Sequence, residues 1–373
     1  MFRSCWILAL LLSFAVPVYA VPQITTETSP DQLTNTARFL AGLSVPANST
    51  LAPLENTLTW KSHSRSFASA WASLDRRQIA KVRTWGNQEL ANIRKSSSSI
   101  FYPFSGPDFL YVDAFFPQGR TYILVGLEPV GPIPNEDTAT PESLIQELSS
   151  LRSALNTVLY ASFFRTNDMK VDFQSRGVLP SLFVFLARTN HQLLNVEYFT
   201  LAKNGNPQVL DATQFSRLSK KQAHGVRIDF TSGNPNQIRS LYYFSQDLSD
   251  SGLIDHPEFT AFVQKLVKPI TYLKAASYLL HNTYFSKTRN LVLAQSSAIL
   301  QDDSGLPLRA LNPKLWDLHF YGSYKGTISL FKNKYQPSLR AIYANNANVK
   351  AINFPIGYGF AMGSSNLLLA IKK

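Results

Sequence analysis

Apolar residues recur at helical spacing in three parts of the chain. These parts are residues 67–85, 144–163 and 259–279. Thr140 followed by a proline is typical of a helix start before the second part, and the pattern at 255–258 is typical of a capping box before the third. The spacing therefore predicts amphipathic helices, with residues 67–85 forming either one long helix or two short ones.

Short apolar runs separated by turn residues predict the strands of a sheet. The most apolar pair is 109–116 and 121–128, which a turn at 117–120 joins into a hairpin. The same pattern predicts further strand pairs at 178–187 with 193–201, at 225–230 with 240–246, and at 354–362 with 366–371. Together these elements predict an α+β fold, a predominantly antiparallel sheet with amphipathic helices packed on it.

The first twenty residues have the layout of a cleaved secretory signal. Arg3 precedes an apolar run at 6–16, and the small-residue ending at 18–20 follows it. The run is too short for a membrane-spanning helix, and no later stretch approaches the required length of about 18 apolar residues. We therefore predict a signal peptide at 1–20 and no transmembrane segment after its cleavage.

The remaining chain is predicted to form one leader and one domain. Residues 21–57 are rich in Thr, Ser, Pro and Asn, which predicts a mostly irregular leader with one short helix. Residues 58–373 are predicted to form a single α+β domain, or two packed subdomains with a joint near 247–257.

Composition indicates an exported protein. The single cysteine, Cys5, lies inside the predicted signal, so the cleaved chain is disulfide-free and has no thiol chemistry. A chain of this length can bury a sufficient core without disulfides, which favours a periplasmic or secreted bacterial protein. The formal net charge of +12 favours an envelope polymer, an anionic lipid surface or a protein partner. The basic residues are scattered, so nucleic acid is not predicted as a partner.

The predicted hairpin brings two carboxylates to its open end. Its register places Glu128 opposite Phe109, with Asp108 just beyond, beside a loop that contains Tyr102 and Ser105. Paired carboxylates can divide the roles of acid and base. The alternative is structural: Asp108 caps a turn and Glu128 lies at a solvated strand end. Ser105 lacks the Gly-x-Ser-x-Gly pattern of the turn that exposes a nucleophilic serine between a strand and a helix, and it precedes a predicted strand.

Two other polar positions are candidates. Asp113 interrupts an apolar run and must meet a basic partner or a cavity. A polar loop contains Gln301, Asp302, Asp303 and, slightly later, Arg309. Adjacent carboxylates can bind a hard cation, but the loop lacks the spacing of a calcium site and is also typical of an ordinary turn. The histidines are widely spaced, so neither a metal nor a cofactor is predicted.

Three sequence blocks resemble a known family pattern. Residues 102–108 (YPFSGPD), 301–305 (QDDSG) and 321–324 (YGSY) resemble blocks of an uncharacterised family of exported bacterial proteins. The resemblance implies secretion but no known activity, and it implies that the blocks meet in one cleft. The predicted binding residues are Tyr102, Ser105, Asp108, Asp113, Gln301, Asp302, Asp303, Arg309, Tyr321 and Tyr324.

Two functional hypotheses remain open from the sequence. The leading one is an exported envelope protein that binds a polymer, a lipid or a partner protein, without catalysis, through an aromatic and acidic cleft. The alternative is a hydrolase of an envelope polymer or ester with Asp108, Glu128 and Asp303 as candidate acid and base. An enzyme would hold at least two such groups close together in a concave pocket with perturbed pKa values.

Overall fold

The computed structural model describes residues 28–134, 146, 148–155, 177–218, 222–234, 236–345 and 347–373. The predicted signal peptide at 1–20 and most of the predicted helix at 144–163 lie outside these residues. Within the described part of the chain, no helix combines the length and the apolar character needed to cross a bilayer.

One mixed sheet of 11 strands runs through the described residues. Its strands are β1 (Ser99–Tyr102), β2 (Thr121–Gly126), β3 (Gln192–Leu201), β4 (Pro207–Leu210), β5 (His224–Thr231), β6 (Arg239–Ser245), β7 (Ile270–Leu273), β8 (Ala298–Gln301), β9 (Trp316–Gly322), β10 (Val349–Lys350) and β11 (Asn366–Lys372). Their order across the sheet is β10-β9-β11-β8-β7-β1-β2-β6-β5-β3-β4. The α+β prediction is confirmed.

The predicted predominance of antiparallel pairing is wrong. Five neighbouring strands, β8, β7, β1, β2 and β6, all run parallel, and the remaining strands flank them largely in antiparallel pairs. β1 lies at the centre, with Ile100 beside Tyr122 on one side and Ile270 on the other. The carboxyl ends of five strands consequently meet at one edge of the sheet.

Helices cover both faces of the sheet. The helices whose two ends both lie in the described residues are α1 (Pro30–Leu40), α2 (Leu58–Leu74), α3 (Ala80–Glu89), α4 (Ala91–Ser96), α5 (Phe109–Phe115), α6 (Leu179–Arg188), α7 (Ala212–Ser216), α8 (Asp250–Asp255), α9 (Pro257–Gln264), α10 (Ser286–Gln295) and α11 (Pro337–Asn345). α1 to α6 pack on one face in a first core, and α8 to α11 pack on the other face in a second core. Side chains alternate between the two cores along the central strands: Ile100 faces the first and Phe101 the second.

Two predicted strands are helices. Residues 109–116 were expected to form half of a hairpin, but Phe109–Phe115 forms α5, and residues 178–187 coincide with α6. All residues of α5 and nearly all of α6 are buried, so neither segment has a polar face. A short run that is apolar all round cannot be assigned to helix or strand from its periodicity. The hairpin of β5 and β6, predicted at 225–230 and 240–246, is confirmed.

The predicted leader contributes to the core over its described residues. Ser29 caps α1 in a capping box, and the buried side chains of Leu33 and Phe39 belong to the first core. The Trp60 indole donates to the Phe39 carbonyl at 3.2 Å. Residues 30–40 therefore form one packed helix within the predicted leader.

The last predicted strand pair is half correct. Residues 366–371 lie in β11, which pairs with β8 and β9. Residues 354–362 form no strand and end in a short 3-10 turn, Phe360–Met362. Tyr358 of this segment lines the pocket at the carboxyl ends of the strands, so the segment serves as a loop beside the candidate site.

Candidate functional site

The connections that follow the neighbouring parallel strands β1 and β7 cross opposite faces of the sheet and lead in opposite directions along it. The connection from β1 to β2 contains α5, which packs in the first core, and the connection from β7 to β8 contains α10, which packs in the second. Such a reversal opens a crevice outside the carboxyl ends of the strands, where open parallel sheets bind their ligands. The candidate site lies at this point.

A cavity of about 150 Å³, which we call the carboxyl-edge pocket, occupies the crevice. Its apolar wall contains Phe104, Leu127, Leu279, Phe285 and Tyr358. Its polar groups belong to Tyr102, Ser105, Asp108, Glu128, Gln246, Asp247, Lys274 and Ser277. A small-ligand site typically combines apolar and aromatic walls with polar groups that orient the ligand, and this pocket contains both kinds of residue.

A buried ion pair between Lys274 and Asp108 lies at the pocket. The Lys274 Nζ is 2.5 Å from the Asp108 Oδ2, and their side chains are only 2% and 3% exposed. The Tyr102 hydroxyl donates to the same oxygen at 3.1 Å, while the Tyr111 amide donates to Oδ1 at 3.2 Å, so Asp108 caps α5. The Lys274 ammonium also lies 3.3 Å from the centroid of the Tyr111 ring. Both carboxylate oxygens of Asp108 are therefore occupied.

Burial sets the electrostatics of this pair. It lowers the pKa of Lys274 from its ordinary value, and the attraction of Asp108 opposes the shift. Burial, followed by the Asp108 charge, raises the pKa of Tyr102 well above its usual range. Tyr102 therefore stays a neutral donor to Asp108 rather than acting as an acid.

Glu128 follows β2 and also lines the pocket. The Tyr243 hydroxyl donates to its carbonyl oxygen at 2.9 Å and approaches its Oε2 at 3.3 Å. Burial raises the pKa of Glu128. Gly126 makes room for this carboxyl group, because a Cβ at position 126 would lie 2.3 Å from Oε2 and 2.8 Å from the Tyr243 hydroxyl oxygen.

Ser105 holds the loop after β1 against β2. Its Oγ accepts from the Val125 amide at 3.0 Å and donates to the Gly106 carbonyl at 2.8 Å. Its own amide donates to the Val125 carbonyl at 2.9 Å. Ser105 therefore has a positioning role in the pocket wall.

The loop after β7 has unusual backbone geometry. Ala275, Ser277 and Tyr278 have φ values of 50°, 52° and 54°, in the left-handed region that non-glycine residues seldom adopt. Asp302 supports this backbone by accepting from the Ala275 amide at 2.8 Å, and the Ser304 Oγ accepts from the Ala276 amide at 2.8 Å. Strain of this kind persists only where the surroundings enforce it, and it clusters at functional sites.

Asp303 lies behind the same loop. It accepts from the Tyr278 hydroxyl and, at 2.9 Å, from the Asn366 side-chain amide. Burial and the neighbouring Asp302 carboxylate raise the pKa of Asp303 to about 7. The two adjacent aspartates are thus a buried support for the loop 275–278 and not a surface cation site.

The sequence-predicted site residues separate into two groups. Those that line the pocket are Tyr102, Ser105, Asp108 and Glu128. The block 301–305 lies behind the pocket wall, where Gln301 bonds to the backbone of Leu306, and Arg309 is exposed. The Tyr321 hydroxyl donates to Glu89 at 2.9 Å and Tyr324 is buried in the second core, so neither lines the pocket.

Lys274 is a site residue that the sequence pattern does not single out. It directly follows the short apolar run of β7, whose spacing predicts a helix. The usable signal was its position: a lysine immediately after a buried parallel strand lies at the edge where sites form.

Asp113 lies in a separate cluster at the other edge of the sheet. Its Oδ1 is 3.1 Å from the His191 Nε2, which supplies the basic partner that the sequence required. The Ser232 Oγ is 2.8 Å from the other ring nitrogen, Nδ1. Asp113, the charged residue of the otherwise apolar helix α5, is therefore paired with His191 and does not line the carboxyl-edge pocket.

Comparison with known proteins adds no assignment. No protein-family model matches the chain, and no curated protein shows significant similarity to it. The resemblance of the three sequence blocks to exported bacterial proteins stays a prediction.

Proposed function

We propose that this is an exported envelope protein that binds an envelope polymer, without catalysis, in the carboxyl-edge pocket. The observation that supports this proposal is the placement of a pocket that combines aromatic walls with polar groups at the point where β1 and β7 diverge. The strained backbone at 275–278 forms part of the pocket wall and fits a site whose shape is fixed in advance.

The polar groups favour a hydroxyl-rich polymer over an anionic lipid. Glu128 and Asp247 line the pocket, and carboxylates accept hydrogen bonds from hydroxyl or ammonium groups. A phosphate headgroup would meet like charges there. The aromatic side chains of Phe104, Phe285 and Tyr358 offer flat apolar surfaces for the carbon face of a sugar ring.

The groups that catalysis would need are largely occupied. Asp108 accepts from Tyr102 and Tyr111 and pairs with Lys274, and Ser105 is bonded to the backbone. Asp303 is buried behind the pocket wall. Binding requires none of these side chains to change its protonation state.

Leu127 gives a direct test, because its side chain lines the pocket and is 68% exposed. We expect Leu127→Ala to weaken retention on purified peptidoglycan about fivefold, since it removes apolar contact worth ~1 kcal/mol. Co-sedimentation of the purified protein measures this. Val267→Ala is the matched control, because Val267 is 80% exposed just before the opposite end of β7.

The outcomes of this experiment are distinct. Retention by the wild type and by Val267→Ala, with loss in Leu127→Ala, supports the proposal. Equal retention of all three proteins would contradict the pocket as the binding site. Retention on phosphatidylglycerol vesicles but not on peptidoglycan would overturn the choice of a polymer.

A second candidate function is hydrolysis of the bound polymer, and one observation favours it. Glu128 has a raised pKa and shares the pocket with the Asp108 carboxyl group, as in the paired carboxyl groups of glycosidases. If this function holds, Glu128→Gln lowers the release of reducing ends from peptidoglycan by at least about 100-fold. Asp317→Asn, at a side chain that is 59% exposed, is the control. Absence of release by the wild type would exclude hydrolysis and leave the binding proposal in place.

A further inference from the structure

Asp113, His191 and Ser232 form a hydrogen-bonded chain at the amino edge of the parallel strands, the edge opposite to the carboxyl-edge pocket. The Asp113 Oδ1 lies 3.1 Å from the His191 Nε2, and the Ser232 Oγ lies 2.8 Å from the His191 Nδ1. Asp113 comes from α5, His191 immediately precedes β3, and Ser232 immediately follows β5. The fold brings them together because Gln192 pairs with Thr231 at the ends of β3 and β5.

Nucleophilic catalysis needs a buried acid and base and a nucleophile that the substrate can reach, and the three side chains fit this requirement. Asp113 and His191 are each 6% exposed, whereas Ser232 is exposed. The rings of Phe109 and Phe230 lie 5.7 Å and 4.8 Å from the imidazole and fix its plane. A carboxylate only accepts hydrogen bonds, so Nε2 carries the proton toward Asp113 and Nδ1 accepts from Ser232. The base is therefore oriented by an acid and directed at a hydroxyl on the surface.

An open cavity of about 440 Å³ adjoins Ser232 and is rich in arginine. Arg83, Arg188 and Arg239 line it. Arg83 pairs with Asp75 at 3.1 Å, whereas Arg188 and Arg239 have no carboxylate within 4.0 Å among the described residues. The Arg188 Nη2 is buried with no hydrogen-bond acceptor in the described part of the chain. A cavity with this excess of guanidinium groups fits a substrate that carries a negative charge.

We propose that this cluster is a second site, a serine esterase site for esters that bear a carboxylate or phosphate group. The His191 Nδ1 takes the Ser232 hydroxyl proton while Oγ bonds to the ester carbonyl carbon. The carbon–oxygen bond to the alcohol then breaks, and the alcohol leaves with the proton from His191. Water, deprotonated in the same way, attacks the acyl-serine and releases the acid and the free hydroxyl. The arginines bind the charged end of the substrate and take no proton.

The site exchanges the two ring nitrogens relative to the usual arrangement of serine proteases, in which the carboxylate meets Nδ1 and the serine meets Nε2. The chemistry requires one nitrogen as acceptor and the other as donor, and both orders satisfy this requirement. The activity is independent of the carboxyl-edge pocket, so the two proposals are tested separately.

Hydrolysis of mono(4-nitrophenyl) succinate and of neutral 4-nitrophenyl acetate by the purified protein tests the proposal. We expect the anionic ester to have the higher kcat/KM, and Ser232→Ala to lose at least about 100-fold of the activity on both esters. Because Ser232 is exposed, this variant keeps its fold, which circular dichroism checks. Ser216→Ala, at an exposed serine at the end of α7, is the control with unchanged activity.

Arg239→Gln distinguishes charge recognition from a merely structural effect. We expect it to lower kcat/KM about tenfold more for the anionic ester than for the neutral ester. A fluorophosphonate label found on Ser232 by peptide mass spectrometry, and absent after His191→Gln, supports the nucleophile. Hydrolysis that survives Ser232→Ala, or a wild type that neither hydrolyses the esters nor takes the label, overturns the proposal.

Discussion

Replacing Lys274 by Met is expected to destabilise the protein by about 3–5 kcal/mol, because it leaves the Asp108 carboxylate buried without its cation. The two side chains are 2% and 3% exposed and 2.5 Å apart, so solvent screens the unpaired carboxylate only weakly. The free energy of unfolding from urea titration, followed by tryptophan fluorescence, measures the effect.

The same substitution at an exposed ion pair is the control. Lys350 lies 2.8 Å from Glu89 with its side chain 62% exposed, so Lys350→Met is expected to cost less than about 1 kcal/mol. A cost below about 1 kcal/mol for Lys274→Met as well would contradict the buried pair.

A double variant separates the ion pair from packing. Asp108→Asn combined with Lys274→Met removes both charges and keeps most of the side-chain volume, and the new side-chain carbonyl oxygen can still accept from the Tyr111 amide. We expect this double variant to be more stable than Lys274→Met alone, with a coupling energy of about 1–3 kcal/mol. Its retention on peptidoglycan also shows whether the pocket needs the charges for binding.

The sequence predicted that Asp108 and Glu128 lie near each other, but for a reason that the structure corrects. The prediction required an antiparallel hairpin, whereas 109–115 is a helix that connects two parallel strands. The carboxyl ends of β1 and β2 nevertheless lie at one edge of the sheet, so the loop that follows each strand lines the same pocket. An antiparallel hairpin and a pair of parallel strands joined by a helix both bring Asp108 and Glu128 to the same place. The local sequence pattern alone does not distinguish these two topologies.

The parallel block could not be predicted because it depends on pairing between distant segments. β7 lies beside β1, although the chain visits β2 to β6 between them. Neither the short runs Ser99–Tyr102 and Ile270–Leu273 nor the fully buried α5 has a distinctive period. For the same reason Lys274, which only this pairing brings to Asp108, was not a candidate.

The predicted meeting of the blocks 102–108 and 301–305 is partly reproduced. The loop after β7 lies between them: Lys274 binds Asp108 on one side, and Asp302 accepts from Ala275 on the other. The first block therefore forms the pocket and the second holds its wall in a strained conformation. In physical terms, polar residues in a sequence block can support a site through a neighbour without facing its cavity.

The titration of Asp303 is expected to make stability fall as the pH rises from about 4 to about 7. The pKa of Asp303 is raised to about 7 by burial and by Asp302, whereas an unfolded aspartate has a pKa of about 3.9. Between these values the folded protein binds more protons than the unfolded chain, so the stabilisation is complete below about pH 4 and is lost as the pH passes about 7. The loss is on the order of 4 kcal/mol.

Asp303→Asn isolates this contribution, because an amide does not titrate and its oxygen can still accept from Asn366. The free energies of unfolding of the wild type and the variant are measured in urea from pH 4 to pH 8. In the difference between them, the contributions of all titratable groups that the substitution leaves unchanged cancel. We expect the wild type to lose stability relative to Asp303→Asn as the pH rises, while Asp317→Asn, at a side chain that is 59% exposed, runs parallel to the wild type. The prediction is contradicted if the difference in free energy of unfolding between the two proteins stays constant across this range, or if it grows in favour of the wild type. Either result would show that Asp303 is ionised in the folded protein. The loop 275–278 would then rest on a charged rather than a neutral support.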